Sequence, residues 1–181
     1  MLRYAPPMAT TGQGRTSIRL NVRGSGDANV DTGVSVLDHL LSLLALYASF
    51  DVSLAVEPTT AEAEILAAAR AFGDALAEPI GSDGVRGHGS AAVPADEALA
   101  HVALARSDRP SLFSNVDLSE ARIGGLASDL AARFLTELAA SAGITLHVRL
   151  IEGSDTQHVL DAIFKALGAA FGEALGPRRS A

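Results

Sequence analysis

The sequence predicts an α+β fold that is internally duplicated into two strand-rich halves. One observation is the alternation of apolar and polar residues in short segments, the period of a half-buried strand, between longer stretches of helical character. The other is that similar segments recur in the same order. Residues 50–56 and 144–150 match apolar on apolar without a gap, and residues 71–76 return as 170–175 with Asp exchanged for Glu. This recurrence indicates a duplication, although Ala-rich helices can also resemble one another by chance.

Alternating and turn-forming residues predict the elements of the first half. Residues 1–14, which carry Pro and Gly, are expected to form a flexible lead-in. There follow a strand at 18–22, a turn at 23–27, a strand at 30–36, a helix with Asp38 at its start, a strand at 50–56 and a helix ending at about 76. Leucines occupy nearly every side of the first helix, so we expect it to be buried all round.

The second half repeats this order of elements. Strands are predicted at 90–93, 99–105, 111–116 and 144–150, and helices at 126–142 and 156–175, with Gly143 as the C-cap of the first helix. The Gly-Ser-Asp-Gly segment at 81–84 is too short to separate two domains. We therefore expect one compact domain over 15–176, with halves at about 15–80 and 84–176, and a tail at 177–181.

Composition excludes several classes of function. The net charge of −7 argues against a nucleic-acid surface, which needs clustered Lys and Arg. The absence of cysteine excludes disulfides and thiolate zinc sites. No stretch approaches the ~20 apolar residues of a membrane span, and the N-terminus lacks the apolar core of a signal peptide. We therefore expect a cytoplasmic protein that binds neither nucleic acid nor membranes.

Two segments place chemistry-bearing residues at a recognisable spacing. TGVSVLDHLL at 32–41 resembles TGxxFxDHML, and GSDTQHVLDAIFKA at 153–166 resembles GxNxHHxxEAxFKA, both motifs of the imidazoleglycerol-phosphate dehydratase family. Shorter matches to that family follow in its order at 84–90, 94–99, 107–110 and 145–147. The resemblance covers roughly residues 15–175, and the chain looks like a divergent member of the family.

The resemblance implies a fold, a reaction and a cofactor. Four helices would pack between the two small sheets. Family members remove water from imidazole glycerol phosphate in histidine biosynthesis, using two manganese ions held by imidazoles and carboxylates. Such metals need several donors converging at ~2–2.2 Å. Family members also form trimers that assemble into larger shells of twenty-four, with metal ligands drawn from neighbouring subunits. For this chain we expect a homo-oligomer, a trimer rather than the full shell.

Carried over residue by residue, the resemblance keeps three ligand positions. His39 and His158 match family histidines, and Asp161 is a shorter carboxylate in place of a glutamate. The imidazole expected at Gln157 is missing. These residues form the residual metal site that the sequence predicts, and we expect no manganese or weak manganese binding there.

The other ligand positions have changed more. The family's first paired-histidine motif falls on residues 62–67, where Glu62 and Glu64 are the only oxygen donors and both imidazoles are absent. A further family histidine corresponds to Arg133, a cation that repels a metal ion. A second complete metal site is therefore not expected.

The resemblance also suggests substrate groups. Arg109 and Lys165 match phosphate-binding positions, and Arg86 is adjacent to a third. In an acidic chain, Arg109 and Lys165 could instead form salt bridges to Asp96, Glu97 or another carboxylate. Asp96 and Glu97 stand where the family has its acidic, catalytic pair.

Three functions remain open from the sequence. The first is a degenerate homologue of the dehydratase that binds a phosphorylated small molecule or a partner. The second is a working dehydratase with a rebuilt metal site. That site would use His39, His158, Asp161 and acids such as Glu62 or Glu64. The third is a non-catalytic structural or regulatory subunit that assembles with an intact paralogue.

Overall fold

Strands and helices follow one another in the same order in both halves of the chain. The computed structural model describes residues 9–13, 16–117, 122–123, 126–127 and 129–178. The first half contains β1 (Ala9–Gln13), β2 (Thr16–Asn21), β3 (Ala28–Asp31), α1 (Ser35–Ala48), β4 (Asp51–Ala55) and α2 (Ala61–Gly81). The second contains β5 (His88–Ala95), β6 (Ala98–Arg106), β7 (Ser111–Ser114), β8 (Arg122–Ile123), β9 (Leu126–Ala127), α3 (Asp129–Ala142), β10 (Ile144–Glu152) and α4 (Thr156–Ala174).

The two main sheets have the same topology. The first has the strand order β1-β2-β4-β3, and the second has the order β5-β6-β10-β7. In each sheet the last pair is parallel and the other pairs are antiparallel. The second half differs by the small hairpin β8–β9, which precedes α3. The predicted α+β fold with two repeated halves is confirmed.

The four helices lie between the two sheets, as the resemblance implies. α1 and α2 contact the first sheet, α3 and α4 contact the second, and the layers meet where α1 packs on α4 and α2 on α3. Small residues allow close approach: a Cβ on Gly168 of α4 would lie 2.3 Å from the Leu44 carbonyl oxygen of α1. The buried apolar residues of both halves form one core.

Several element boundaries differ from the prediction. The strand predicted at 30–36 ends at Asp31, because the Thr32 backbone N–H and hydroxyl both donate to Asp38 Oδ1, at 2.9 and 2.6 Å, and turn the chain into α1. The second helix continues to Gly81 rather than 76. α3 begins at Asp129 rather than 126, because Leu126–Ala127 pairs with β8.

The prediction that α1 is buried all round is wrong. Leu46 is 56% exposed and Tyr47 is 40% exposed, so the helix has a solvent-facing stripe. Within the predicted lead-in, Ala9–Gln13 forms β1 and pairs with β2, so that part is a strand; residues 1–8 and 14 lie outside the described residues. No helix in the described ranges is long and apolar enough to cross a membrane.

Candidate functional site

The hairpin turn between β5 and β6 reaches the start of α4. Asp96 and Glu97 form this turn, with Asp96 at φ +49°. Glu97 Oε1 accepts the backbone N–H of Asp155 at 3.0 Å, and Glu97 Oε2 lies 2.6 Å from His158 Nδ1. Asp155 is the N-cap of α4, and its carboxylate accepts the N–H groups of Gln157 and His158. The turn is therefore tied to the helix start by one carboxylate.

These contacts set the protonation of both side chains. The hydrogen bond from the Asp155 backbone, followed by the one from His158, lowers the pKa of Glu97 to about 2. The hydrogen bond to Glu97 raises the pKa of His158 above its ordinary value of 6.5. Asp96 Oδ2 stands 3.5 Å from the other ring nitrogen of His158. Glu97 is consequently an ionised carboxylate at neutral pH.

A second contact joins α1 to α4 one turn further along α4. His39 Nε2 lies 3.1 Å from Asp161 Oδ1, and the Gln157 side-chain amide donates to the same oxygen at 2.8 Å. His39 is half-exposed and Asp161 is mostly buried. We call the six residues of this region the histidine cluster: His39, Asp96, Glu97, Gln157, His158 and Asp161. The structure thus brings together the predicted metal and acidic residues.

α2 and α3, the other two helices that pack on each other, carry different side chains at the place that corresponds to the histidine cluster. Arg133 Nη1 of α3 lies 2.5 Å from Glu62 Oε1 of α2, and both side chains are about half-exposed. The offset of 94 residues that aligns 50–56 with 144–150 carries His39 onto Arg133. We call Arg133 and Glu62 the arginine pair.

Glu64 is not part of the arginine pair. Its side chain is only 7% exposed, and its Oε1 accepts the backbone N–H of Thr59 at 2.7 Å. A Cβ on Gly33 would lie 3.0 Å from Glu64 Oε2, so this carboxylate faces the loop before α1. Glu64 therefore accepts a hydrogen bond from the loop before α2 and lies against the loop before α1.

The three predicted phosphate-binding cations occupy separate surroundings. Arg86 donates to Glu173 Oε1 at 2.7 Å, and Glu173 Oε2 accepts the backbone N–H of Ser90. The Lys165 ammonium lies 5.8 Å from the ring centroid of Tyr47. Arg109 has an exposed side chain on the loop between β6 and β7. Of the three, Arg86 is thus neutralised within the chain.

Reasoning from the sequence missed two residues that shape these sites, Asp155 and Glu173, and the contact of Glu62 with Arg133. Asp155 carries a recognisable signal, because an Asp directly before a helical stretch is a typical N-cap. Glu173 and the Glu62 partner of Arg133 carry none, because their pairings depend on how separate helices align.

At the arginine pair, the residues present do not fit a manganese ion. At the arginine pair a guanidinium stands at a ligand position, and neighbouring Ala63 and Leu66 offer no donor atom. In the histidine cluster, His39 is hydrogen-bonded to Asp161 and His158 to Glu97. Within the described ranges of one chain, no group of three or more His, Asp or Glu side chains could hold a metal ion.

Comparisons with known proteins agree on one family. The family model described as imidazoleglycerol-phosphate dehydratase matches residues 32–171. The imidazoleglycerol-phosphate dehydratase of Desulfitobacterium hafniense is 38% identical over 169 residues, which cover 91% of this chain and 86% of that protein.

Solved structures agree as well. The crystal structure of the Staphylococcus aureus dehydratase superposes with a TM-score of 0.86 at 27% identity, over 95% of this chain and 99% of that one. The Pyrococcus furiosus enzyme, solved in complex with (S)-C348, gives a TM-score of 0.80 at 26% identity, over 94% of each chain.

The chain belongs to the imidazoleglycerol-phosphate dehydratase family, a family of histidine biosynthesis. The reaction of this family is a dehydration, the chemistry of a carbon–oxygen lyase, and its members use metal ions.

Proposed function

We propose that this chain is a degenerate member of the family that binds no complete pair of metal ions and has lost metal-dependent dehydration. The observation that carries this proposal is the arginine pair. A guanidinium remains charged at any physiological pH and has no lone pair to donate. Its contact with Glu62 engages the nearest carboxylate, so the position presents a satisfied ion pair instead of a ligand.

Electrostatics oppose a metal at this position. Two unit charges ~4 Å apart interact by about 4 kcal/mol at an effective dielectric of ~20, and by about twice that when one is divalent. Because Arg133 and Glu62 are about half-exposed, solvent reduces this repulsion. No donor among the adjacent residues offsets what remains.

Glu97 is poorly suited to act as a general base. An efficient general base has a pKa near the working pH, whereas the pKa of Glu97 is about 2. Its two oxygens are also occupied by Asp155 and His158. Glu97 therefore holds the hairpin turn against the start of α4, and the Nδ1–H group of His158 donates to Glu97.

The role proposed for such a protein is binding. Arg109 and Lys165 remain candidates for the phosphate of a small molecule, whereas Arg86 is engaged by Glu173. We propose a small homo-oligomer that needs no metal. Assembly with an intact paralogue, in a structural or regulatory role, is the related proposal.

A working dehydratase with a rebuilt site is the second candidate. The observation favouring it is the extent of similarity to dehydratases, 38% identity over 91% of this chain. Ligands from neighbouring subunits could complete the histidine cluster, since His39, His158 and Asp161 lie on one side of the α1–α4 pair.

A dehydratase assay separates these candidates. The purified full-length chain is incubated with manganese and imidazole glycerol phosphate, with the Desulfitobacterium hafniense relative assayed in parallel. We expect turnover at least a thousandfold below that of the relative, roughly the loss produced by removing a principal catalytic group. Turnover within tenfold of the relative would overturn the proposal and favour the rebuilt site.

A further inference from the structure

A cavity of about 190 Å³ lies between the second sheet and the first turns of α3 and α4. β7 and β10 line it with Leu112 and Val148, and α4 lines it with Leu160 and Ile163. Val148 is fully buried, and Leu160 and Ile163 are each 1% exposed. The cavity therefore reaches the apolar core of the second half.

α3 makes room for this cavity because it carries small residues there. Ala131 and Ala132 line the cavity. α1 and α3 both have 14 residues, so the offset of 94 residues that relates the halves places Ala131 at the position of Leu37 and Ala132 at that of Asp38. Leu37 is 2% exposed, and Asp38 accepts two hydrogen bonds from Thr32. The fold of the two halves is the same, so the fold does not require the cavity.

The lining of the cavity is apolar apart from its rim. Among the described residues that line it, the polar ones are Ser114, Asp117 and Asp129, and all three are exposed. None of the described lining residues is Lys, Arg or His. Carboxylates at the rim repel an anion, and the apolar interior offers no partner to a charge of either sign. The chemistry of the cavity therefore favours an uncharged apolar molecule.

The size of the cavity is that of a small ring. An apolar cavity of roughly 150 Å³ is large enough to bind benzene. A ring between α3 and the sheet would add dispersion contacts to Leu135, Val148 and Ile163. The same ring would lose its apolar contact with water, which is the main favourable contribution to such binding.

We propose that this cavity is a binding site for an uncharged apolar molecule of about the size of a single aromatic ring. This proposal goes beyond the proposed function, because Arg109 and Lys165, the candidates for a phosphate, do not line the cavity. It holds whether or not the chain catalyses dehydration.

Methyl NMR of the full-length chain with toluene as the probe tests this site. We expect toluene to shift the methyl signals of Leu135, Val148 and Ile163, which line the cavity. The methyl signals of Leu41 and Leu54, which belong to the first half, should stay in place. Benzoate has a similar ring but carries a negative charge, and we expect it to leave all these signals unchanged.

The informative variant is Ala131→Leu, which gives α3 the side chain that α1 has at Leu37. We expect its affinity for toluene to be at least tenfold lower, because the added side chain occupies the space of the ring. The matched control is Ala140→Leu, because Ala140 is exposed on the same helix and does not line the cavity. Its affinity for toluene should equal that of the wild type.

Circular dichroism checks the folding of each variant. If Ala131→Leu does not fold, Ala132→Leu replaces it, because Ala132 lines the cavity from an exposed position. Unchanged signals of the wild type in water saturated with toluene would overturn the proposal. Equal affinity of the cavity-filling variant and Ala140→Leu would overturn it as well, and equal binding of benzoate would overturn the assignment of an uncharged ligand.

Discussion

The histidine cluster and the arginine pair occupy corresponding places in the two halves of one fold, yet they differ in chemistry. In each, a basic side chain near the start of one helix meets a carboxylate on the helix packed beside it: His39 with Asp161, and Arg133 with Glu62. The first basic group can lose its proton and donate a lone pair, but the second cannot. The duplicated backbone therefore preserves a cross-helix charge pair, whereas the ability to bind a metal ion depends on which side chains each half carries.

The arginine pair is not a main source of stability. Both members of the arginine pair are about half-exposed, and exposed ion pairs contribute about 0–1 kcal/mol. The close approach of the helices is set elsewhere, by small residues in the buried seam between α1 and α4, where Gly168 lies against Leu44. Substitutions in the seam should therefore cost more than substitutions in either pair.

The largest effect is expected for Gly168→Ala, in the seam between α1 and α4. The new Cβ would lie 2.3 Å from the Leu44 carbonyl oxygen, so α1 and α4 must move apart. We expect the free energy of unfolding to fall by about 3 kcal/mol, the upper range for overpacking. Urea denaturation measures it, with Gly172→Ala as the control, because that Cβ would meet its nearest atom at 3.3 Å. Equal stabilities of the two variants would contradict the assignment of this seam.

The helix caps give the next effect and compare the halves directly. Asp155 accepts two backbone N–H groups at the start of α4, whereas Thr60 accepts one, at 3.3 Å, at the start of α2. We expect Asp155→Ala to cost about 1–2 kcal/mol and Thr60→Ala about 0.5 kcal/mol. Thermal unfolding of both variants checks the ranking, and Asp155→Asn should restore much of the loss. A larger cost for Thr60→Ala would reverse the comparison.

A third prediction concerns protonation within the histidine cluster. Replacing Glu97 by Gln removes the negative charge of the group that raises the pKa of His158, so that pKa should fall toward its ordinary value. NMR titration of the His158 ring protons measures it, with Asp96→Asn as the control for a smaller change. An unchanged pKa of His158 in Glu97→Gln would show that the contact does not persist in solution.

The same variant should change how stability depends on pH. The pKa of Glu97 is lowered to about 2 in the folded chain. Its contribution to the free energy of unfolding is therefore present above the unfolded pKa near 4.5 and is lost as pH falls toward 2. The pKa of His158 is raised, so its contribution is full below 6.5 and is lost as pH rises through the raised value. Both dependences should weaken in Glu97→Gln, as unfolding curves at several pH values would show.

The smallest effect is expected at the arginine pair. A double-mutant cycle with Glu62→Gln and Arg133→Met should give a coupling energy of about 0.5 kcal/mol, which salt reduces. Arg70 and Glu137, a further exposed pair between α2 and α3, provide the matched control. A coupling above about 2 kcal/mol would mean that the arginine pair has a structural role, which the half-exposed geometry does not predict.

Much of the fold could be predicted because it depends on local patterns. Alternation predicted β4, β6 and β10, and Gly143 ends α3 as expected, at φ +68° with its N–H donating to the Ala140 carbonyl oxygen. The strand predicted at 30–36 was wrong because the bonds from Thr32 to Asp38 outweigh periodicity. The prediction that α1 is buried all round was wrong, because the leucine content of a helix does not show which of its sides lacks a packing neighbour.

The candidate site was predictable only where motif order indicated which elements meet. The contact of His158 with Glu97 joins two segments that the family resemblance had singled out. The Glu62 partner of Arg133 and the Glu173 partner of Arg86 were not predicted. Both pairings depend on the side chains that packing brings together from distant segments, which composition and spacing do not specify.

The most direct test of the central claim is the metal content of the purified chain. The protein is incubated with manganese, desalted and analysed by inductively coupled plasma mass spectrometry, alongside an Arg133→His variant. We predict well below one tightly bound metal ion per chain for the wild type. We expect the variant to stay below two, because Ala63 and Leu66 still offer no ligand. Two manganese ions per wild-type chain would contradict the claim and show that the metal site has been rebuilt.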